Sequence, residues 1–277
     1  MKPHTDLSSG LKLAEALLPV AYEAGQEILR VRRAGARVEW KTDSSPVTEA
    51  DRAAEVVIAA GLARLAPGVP VVAEEAVSAG RLPEAGAEFF LVDPLDGTRE
   101  FVRGGNDFTV NIGLIRDGAP VLGVILLPES GKLFWGVGGA GAWRARFADG
   151  AVVERQPIRV RPAPQGSIAV VASRSHRTPE TDAYIARYDV EKLVSAGSSM
   201  KFCAVASGKA DLYPRMGTTM QWDTAAGDAI LRAAGGLVVT LDGQPLPYGS
   251  GGRPGAEGYR NPWFVATGGV TPLLQPE

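Results

Sequence analysis

The chain has 277 residues, 45% of them apolar and 22% charged, and its 29 basic and 31 acidic side chains leave a net charge of −2. That composition excludes disorder, a fibre and the basic excess of a nucleic-acid-binding surface, and the length predicts about two sub-domains sharing one interface. A single cysteine, Cys203, excludes an intrachain disulfide, and with only His4 and His176 beside it a three-histidine or four-cysteine zinc centre is excluded too, so any metal must be held by carboxylates.

In chain order, the opening MKPHTDLSSG has an early acid and no apolar core, so it does not read as a signal peptide. Apolar residues at helical spacing predict a helix over Leu11 to Arg33, with Pro19 near a bend or late in a first turn. Thr48-Glu49-Ala50-Asp51 resembles a helix-capping signal and precedes a second helix over Ala53 to Leu65. Short β-rich runs follow at Val69 to Ala73, Glu88 to Val92, Phe108 to Ile115, Val121 to Leu127 and Lys132 to Val137. The first half therefore reads as two helices and a mostly antiparallel sheet. The longest charge-free apolar run, Leu133 to Trp143, falls well short of the roughly 18 residues that span a bilayer.

Beyond about residue 160 the pattern alternates. Strands are expected at Ile168 to Ala172, Leu193-Val194, Ala210 to Tyr213, Leu237 to Leu241 and Phe264 to Ala266. Helices are expected at Pro179 to Arg187, Ser199 to Ala206 and Asp223 to Ala234. The expected fold class is α/β, an α+β half over residues 1–160 and an α/β half over 161–277, with the boundary in the proline-rich stretch Gln156 to Gln165. Pro245 to Pro262 reads as a long surface loop.

Chemistry concentrates in Leu91-Val92-Asp93-Pro94-Leu95-Asp96-Gly97-Thr98, where a β run delivers two carboxylates and a hydroxyl into a turn. Hard cations such as Mg²⁺ take oxygen ligands of this kind, and the Leu95 carbonyl could add one more. Asp, Pro and Gly are also ordinary turn residues. Glu74-Glu75 ends the preceding strand, so alternation should aim only one of the pair at a shared site. Asp223 stands at a helix start and Asp51 in a first turn, both ordinary places for an acid. Spacing alone leaves open whether these acids converge. Cys203, among Phe202, Ala204 and Val205, reads as buried core rather than a nucleophile.

The strings EE at 74–75, DPLDGTREF at 93–101 and WDTAAGDAILRAAGG at 222–236 resemble the magnesium-dependent, lithium-sensitive inositol monophosphatase superfamily. KTDSSPVTEAD at 41–51, FTVNIGLI at 108–115 and PVLGVILLP at 120–128 extend the resemblance. VVASRSHR at 170–177 and GSSMKFCAVASGKADLYPR at 197–215 resemble its CysQ-type 3'(2'),5'-bisphosphate nucleotidases. The resemblance implies a layered αβαβα fold and a hydrolase of phosphoric monoesters using two or three Mg²⁺ ions. It assigns metal contacts to Glu74, Asp93, the Leu95 carbonyl, Asp96 and Asp223, and activation of water to Asp51 and Thr98. Gly97, Thr98, Ser173, His176, Gly197, Ser198, Lys201, Arg215 and Asp223 would bind substrate, Lys201 meeting the second phosphate.

The implied substrate is adenosine 3',5'-bisphosphate, cleared to AMP and phosphate during sulfate assimilation. The implied partner is that small nucleotide alone, on a monomer or homodimer in the cytoplasm or peripheral to the inner membrane. Two alternatives stay open here. One is inositol monophosphate or fructose 1,6-bisphosphate as substrate; the other is a non-catalytic phosphate- or metal-binding regulator.

Overall fold

The computed structural model describes residues 7–40 and 46–274. His4 with the opening segment, and the Lys41–Ser45 part of KTDSSPVTEAD, lie outside the described residues.

The first helix, α1 (Leu7–Ala34), buries Ala14, Leu17, Ala21, Ala24, Ile28 and Val31 along one stripe. It begins earlier than the periodicity predicts, so Pro19 sits mid-helix and not in a first turn. Its ring is exposed to solvent, where water can satisfy the carbonyl that loses its donor. A short pair, β1 (Val38–Trp40) and β2 (Pro46–Thr48), leads into α2 (Glu49–Leu65). Thr48 caps α2, and Asp51 three residues on returns the capping bond, as the sequence signal predicts.

Next come β3 (Val71–Ala73), α3 (Glu74–Ser78), β4 (Glu88–Asp96), α4 (Thr98–Val102), β5 (Thr109–Arg116), β6 (Ala119–Leu127) and β7 (Lys132–Val137). Two further strands, β8 (Gly141–Ala148) and β9 (Ala151–Ile158), were not expected from the sequence pattern. Strands β3 to β9 lie side by side in chain order; only the β3–β4 pair is parallel.

The remainder is β10 (Ile168–Ser173), α5 (Pro179–Ile185), β11 (Val190–Ala196), α6 (Met200–Ala206), β12 (Leu212–Arg215), α7 (Gln221–Ala233), β13 (Leu237–Thr240) and β14 (Phe264–Thr267). Its five strands form a second sheet in the order β11-β10-β12-β14-β13. The layers follow from which faces are apolar. On β4, Phe90 and Val92 join α1 and α2 in one core, while Phe89 and Leu91 join α6 and α7 in another. Tyr184 and Ile185 of α5 pack on the far face of the second sheet. The result is α1 and α2, sheet, α6 and α7, sheet, α5: an αβαβα sandwich.

Pro245 to Pro262 is not the free surface loop expected. Leu246, Tyr248, Tyr259 and Asn261 are buried in it. Gly249 exchanges hydrogen bonds with the Gln221 side chain, at 2.7 and 3.0 Å, and Asn261 Nδ2 donates to the Met220 carbonyl at 2.8 Å. Apolar and amide side chains scattered among glycines carry no periodicity, so a segment strapped over the start of α7 looks like loop from sequence.

Helix α7 lies unusually close to the first sheet. Gly113, Gly123 and Gly136 are cross-strand neighbours on β5, β6 and β7. A Cβ on Gly123 would stand 2.2 Å from the Ala226 carbonyl oxygen, and one on Gly136 would stand 2.8 Å from Ile230 Cα. These contacts are to helix backbone, which cannot rotate away. Gly123→Ala should therefore lift α7 and cost at least ~1–3 kcal/mol, the ordinary price of overpacking. Urea unfolding of the variant measures this; an unchanged midpoint and slope would mean that α7 is free to move.

A candidate active site between the two sheets

Asp93 and Asp96 are three residues apart on one strand, a spacing that would aim them at opposite faces. The pairing corrects this. Asp93 is opposite Asn111 and Asp96 opposite Thr109, so β4 carries one extra residue across that interval. The bulge, which holds Pro94, restores a common face. Leu95 N donates to Asp93 Oδ1 at 3.0 Å and fixes the carboxylate inside the turn. Gly97 closes the turn at φ +98°, with the Asp107 carbonyl oxygen 2.8 Å from where a Cβ would be.

Around this turn lies a cavity of about 480 Å³. Glu74, Asp93, Leu95, Asp96, Gly97, Thr98 and Asp223 line one part of it. Ser173, His176, Gly197, Ser198, Lys201 and Arg215 line the rest. Every site residue expected from the sequence is therefore brought to one space except Asp51, which reaches it through Thr98. Glu74 and Glu75 are not a strand end, as expected, but the first residues of α3. Glu74 still faces the cavity, while the Glu75 backbone N–H is held by Glu55 at 2.9 Å.

Asp51 serves two partners at once. Its Oδ2 accepts from the Thr48 backbone and hydroxyl, each at 2.7 Å, and its Oδ1 accepts from Thr98 Oγ1 at 3.0 Å. Thr98 Oγ1 is also 3.1 Å from the Leu95 carbonyl. Burial pushes the Asp51 carboxyl up to about 6, against the Thr48 hydrogen bonds that favour its ionised form.

The cluster's other aspartates are raised as well. Burial holds Asp93 well above its ordinary range, and Glu74, Asp96 and Asp223 add repulsion. Asp223, whose Oδ2 caps α7 by accepting from Met220 N at 2.9 Å, is pushed up to about 8 by burial, then by Asp96 and Glu74. Burial raises Asp96 too, but Lys201, Ser199 and Asn111 pull it back.

Lys201 is a buried cation of this region. Burial lowers its ammonium to about 8, opposed by Asp96. It donates to the Ser198 carbonyl and lies 5.3 Å from the Tyr213 ring centroid. Arg215, also buried, spends two of its donors on the His176 and Thr218 carbonyls, at 3.2 and 2.7 Å. His176 sits on the exposed rim with its imidazole held below its ordinary value, by lost solvation first and by Arg215 and Arg99 next. Its backbone N–H donates to Ser173 Oγ at 3.2 Å.

Ser199, Asn111, Thr109 and Glu100 were missed as site residues. Ser199 Oγ is 2.9 Å from Asp96 Oδ2, 3.0 Å from the Asp223 carbonyl and 2.8 Å from Asn111 Nδ2, so one hydroxyl ties β4, β5, α6 and α7 together. Thr109 Oγ1 meets Ser198 Oγ at 2.9 Å, and Ser198 holds φ at +46°. Glu100 is buried and accepts from Ser175 across the two halves. The available signal was an amide inside the apolar strand FTVNIGLI, since a buried Asn needs partners.

Among the described residues, no group of three His, Cys, Asp or Glu side chains stands closed around one point as the ligands of an ion do. The acids instead surround a shared space, all oxygen donors, with more negative than positive charge among them. Carboxylates held this far above their ordinary range call for a counter-charge, and a hard divalent cation fits that donor set.

Residues 11–266 match the family model described as the inositol monophosphatase family. The 3'(2'),5'-bisphosphate nucleotidase CysQ of Salmonella typhimurium is 41% identical over 257 residues, 92% of this chain and 99% of that protein. The Escherichia coli K12 protein of the same name is 40% identical over 254 residues, 91% and 98% of the two chains. The crystal structure of CysQ from Bacteroides thetaiotaomicron superposes with a TM-score of 0.75 at 38% identity, covering 93% and 97%. An inositol monophosphatase from Anabaena gives 0.70 at 25% identity, covering 95% and 93%.

The raised acids set a pH dependence. Above the ordinary 3.8, the unfolded chain has released protons that folded Asp51 still binds up to about 6 and Asp223 up to about 8. The folded state then binds more protons than the unfolded, so stability falls as pH rises through this window. Asp93 and Asp96 act in the same direction, and His176 opposes them only below its ordinary 6.5. Chelator-treated protein should lose several degrees of Tm between about pH 5 and about pH 8, and Mg²⁺ should flatten the slope. A chelator-treated Tm that rises over this range would show that the acids are not held as described.

Proposed function

The chain belongs to the inositol monophosphatase family, whose members are metal-dependent phosphatases, and from that premise we propose that it is a Mg²⁺-dependent 3'(2'),5'-bisphosphate nucleotidase converting adenosine 3',5'-bisphosphate to AMP and phosphate. The observation that carries the reading is the pairing, in one cavity, of an acid cluster with a separate cationic group built on Lys201 and Arg215, the neutral His176 beside them. A substrate with two phosphates needs both.

Glu74, Asp93, the Leu95 carbonyl, Asp96 and Asp223 would hold the metal. Mg²⁺ bound there supplies charge neutralisation to the scissile phosphate and acidity to the attacking water. The chain's own residues do the rest. Thr98 Oγ1, donating to Asp51 Oδ1, leaves a lone pair for a water in line with the phosphorus. Asp51, poised near neutrality, takes up the proton as the water oxygen bonds to phosphorus and the phosphorus–oxygen bond to the ribose breaks. The Gly97 and Thr98 amides, at a turn that opens a helix, orient the phosphate oxygens. The departing ribose oxygen takes a proton from solvent.

The second phosphate meets Lys201, with His176, the Gly197-Ser198 turn and Ser173 beside it. Gly197 is needed there, because a Cβ would stand 2.8 Å from the Asp107 carbonyl oxygen. Arg215 shapes this pocket through the carbonyls it holds. The residues 1–160 would then carry most metal ligands, and 161–277 would complete the metal site and bind the nucleotide.

Phosphate release from adenosine 3',5'-bisphosphate, inositol 1-phosphate and fructose 1,6-bisphosphate tests the assignment. Turnover of the nucleotide should exceed that of both sugar phosphates; a preference for either one would replace it. Asp93→Asn should lower kcat by several orders of magnitude while leaving chelator-treated Tm no lower, because the amide relieves repulsion. Full activity of that variant at ordinary Mg²⁺ would remove Asp93 from the metal site.

Lys201→Ala separates the two phosphates. Loss of a charged hydrogen bond costs ~1.5–3 kcal/mol, or roughly ten- to hundred-fold in KM for the bisphosphate. A substrate with one phosphate should change little. Equal losses on both would place Lys201 at the scissile group.

A further inference from the structure

A second cavity, about 360 Å³, opens where the first sheet faces the edge strand β11. Its floor is apolar: Leu127 and Phe134 from the first sheet, Val171 from β10, and Met200, Cys203 and Ala204 from α6. Leu127, Phe134, Val171 and Cys203 are buried, whereas Met200, Ala204 and Val194 remain partly exposed, so the cleft is open to solvent. Its rim is cationic. Lys132, Lys192, Lys209 and Arg174 stand around it with one acid, Asp107. Arg174 and Asp107 form an ion pair at 2.6 Å. Among the described residues, no ion pair engages the three lysines. Three unpaired ammonium groups thus gather around one apolar cleft on a chain whose net charge is −2.

We propose that this cleft binds a small organic anion with a compact apolar body, the body on the Phe134–Met200–Ala204 floor and the charge among Lys132, Lys192 and Lys209. The size suits such a ligand, since small-molecule pockets run from roughly 300 to 1,000 Å³ and are mostly apolar with few convergent polar groups. A purely apolar ligand would leave the lysines unused, and a small inorganic anion would leave the floor wet.

The cleft and the catalytic cavity share a wall. On α6, Met200, Cys203 and Ala204 face the cleft, while Lys201 and Phe202 face the catalytic cavity. An anion pressed against Met200 and Ala204 would bear on the short helix that carries Lys201, so occupancy should change affinity for the second phosphate. This consequence rests on the proposed function; the binding itself does not.

The probe is 8-anilinonaphthalene-1-sulfonate, an aromatic body with one sulfonate. Its fluorescence should rise saturably with one equivalent per chain. Ala204→Trp, which fills the floor, should abolish the rise, and Lys192→Glu with Lys209→Glu should weaken binding at least tenfold at low salt. Both lysines are exposed, so the double variant keeps the test decisive should Ala204→Trp fail to fold. Dye binding that survives both changes, or that inorganic phosphate displaces, would put the dye elsewhere and overturn the site. So would sedimentation showing a wild-type dimer that these variants dissociate, since a second copy would then cover the cleft. In the kinetic arm, the dye should alter KM for adenosine 3',5'-bisphosphate in the wild type and not in Ala204→Trp. An unaltered wild-type KM with dye bound would overturn the coupling through α6 alone. Absence of nucleotidase turnover with dye binding intact would instead fail the functional reading.

Discussion

The close seat of α7 on three glycines is the constraint on which the rest of the site depends. A helix approaches a sheet this nearly only where the strands present no side chains, and Gly113, Gly123 and Gly136 supply such a lane across β5, β6 and β7. The helix is pressed from its other side as well, because a Cβ on Gly227 would stand 2.5 Å from the Phe202 ring. Held between sheet and α6, α7 has little freedom to slide. Its first turn therefore delivers Asp223 to Asp93 and Asp96, which come from a different part of the chain. The strap through Tyr248 and Asn261 fixes that turn from a third direction, Tyr248 reaching the buried Asp228 at 3.1 Å.

A rigid scaffold matters because what it assembles is unfavourable. Glu74, Asp93, Asp96 and Asp223 line one cavity with Asp51 just behind Thr98; burial raises all four aspartates above their ordinary range, and repulsion from neighbouring acids adds to it at Asp51, Asp93 and Asp223. Such a cluster would relax apart on a flexible frame. Here each of the four aspartates has a local reason to stay: Asp51 and Asp223 each return a capping bond, Asp93 is held by the Leu95 amide, and Asp96 by Ser199 and Asn111. The capping roles and the site roles are thus not rivals. One oxygen of Asp51 caps its helix and the other holds Thr98.

That duality explains what could be read from the sequence. DPLDGT and the Trp222-Asp223 turn are local strings, so their chemistry is visible without a fold. The bulge at Pro94-Leu95 is not visible, since it is defined only by pairing with Thr109 and Asn111 on another strand. Glu74-Glu75 looked like a strand end because the run before it is β-rich, and only the turn into α3 decides which acid faces the cavity. Ser199 was hidden for a further reason. A serine before a helix is ordinary, and its contacts to Asn111, Asp96 and Asp223 span 88, 103 and 24 residues of chain. Strands β8 and β9 escaped because their runs, GAWRARFA and AVVERQPI, mix charge with apolar residues where the sheet ends at β9, and β9 is open to solvent on both faces along most of its length.

The position of Lys201 joins these threads. It is the buried ammonium nearest the acids, and Asp96 holds its proton against the cost of burial. It therefore offsets the acid cluster electrostatically while facing the cavity that would receive a second phosphate. The ammonium is anchored by the Ser198 carbonyl, with Asp96 near enough to act on it through charge. The helix that carries Lys201 contacts both sheets' cores and is preceded by Ser199 at its N-cap, so the same short element borders the acids, the catalytic cavity and, on its opposite face, the lysine-rimmed cleft.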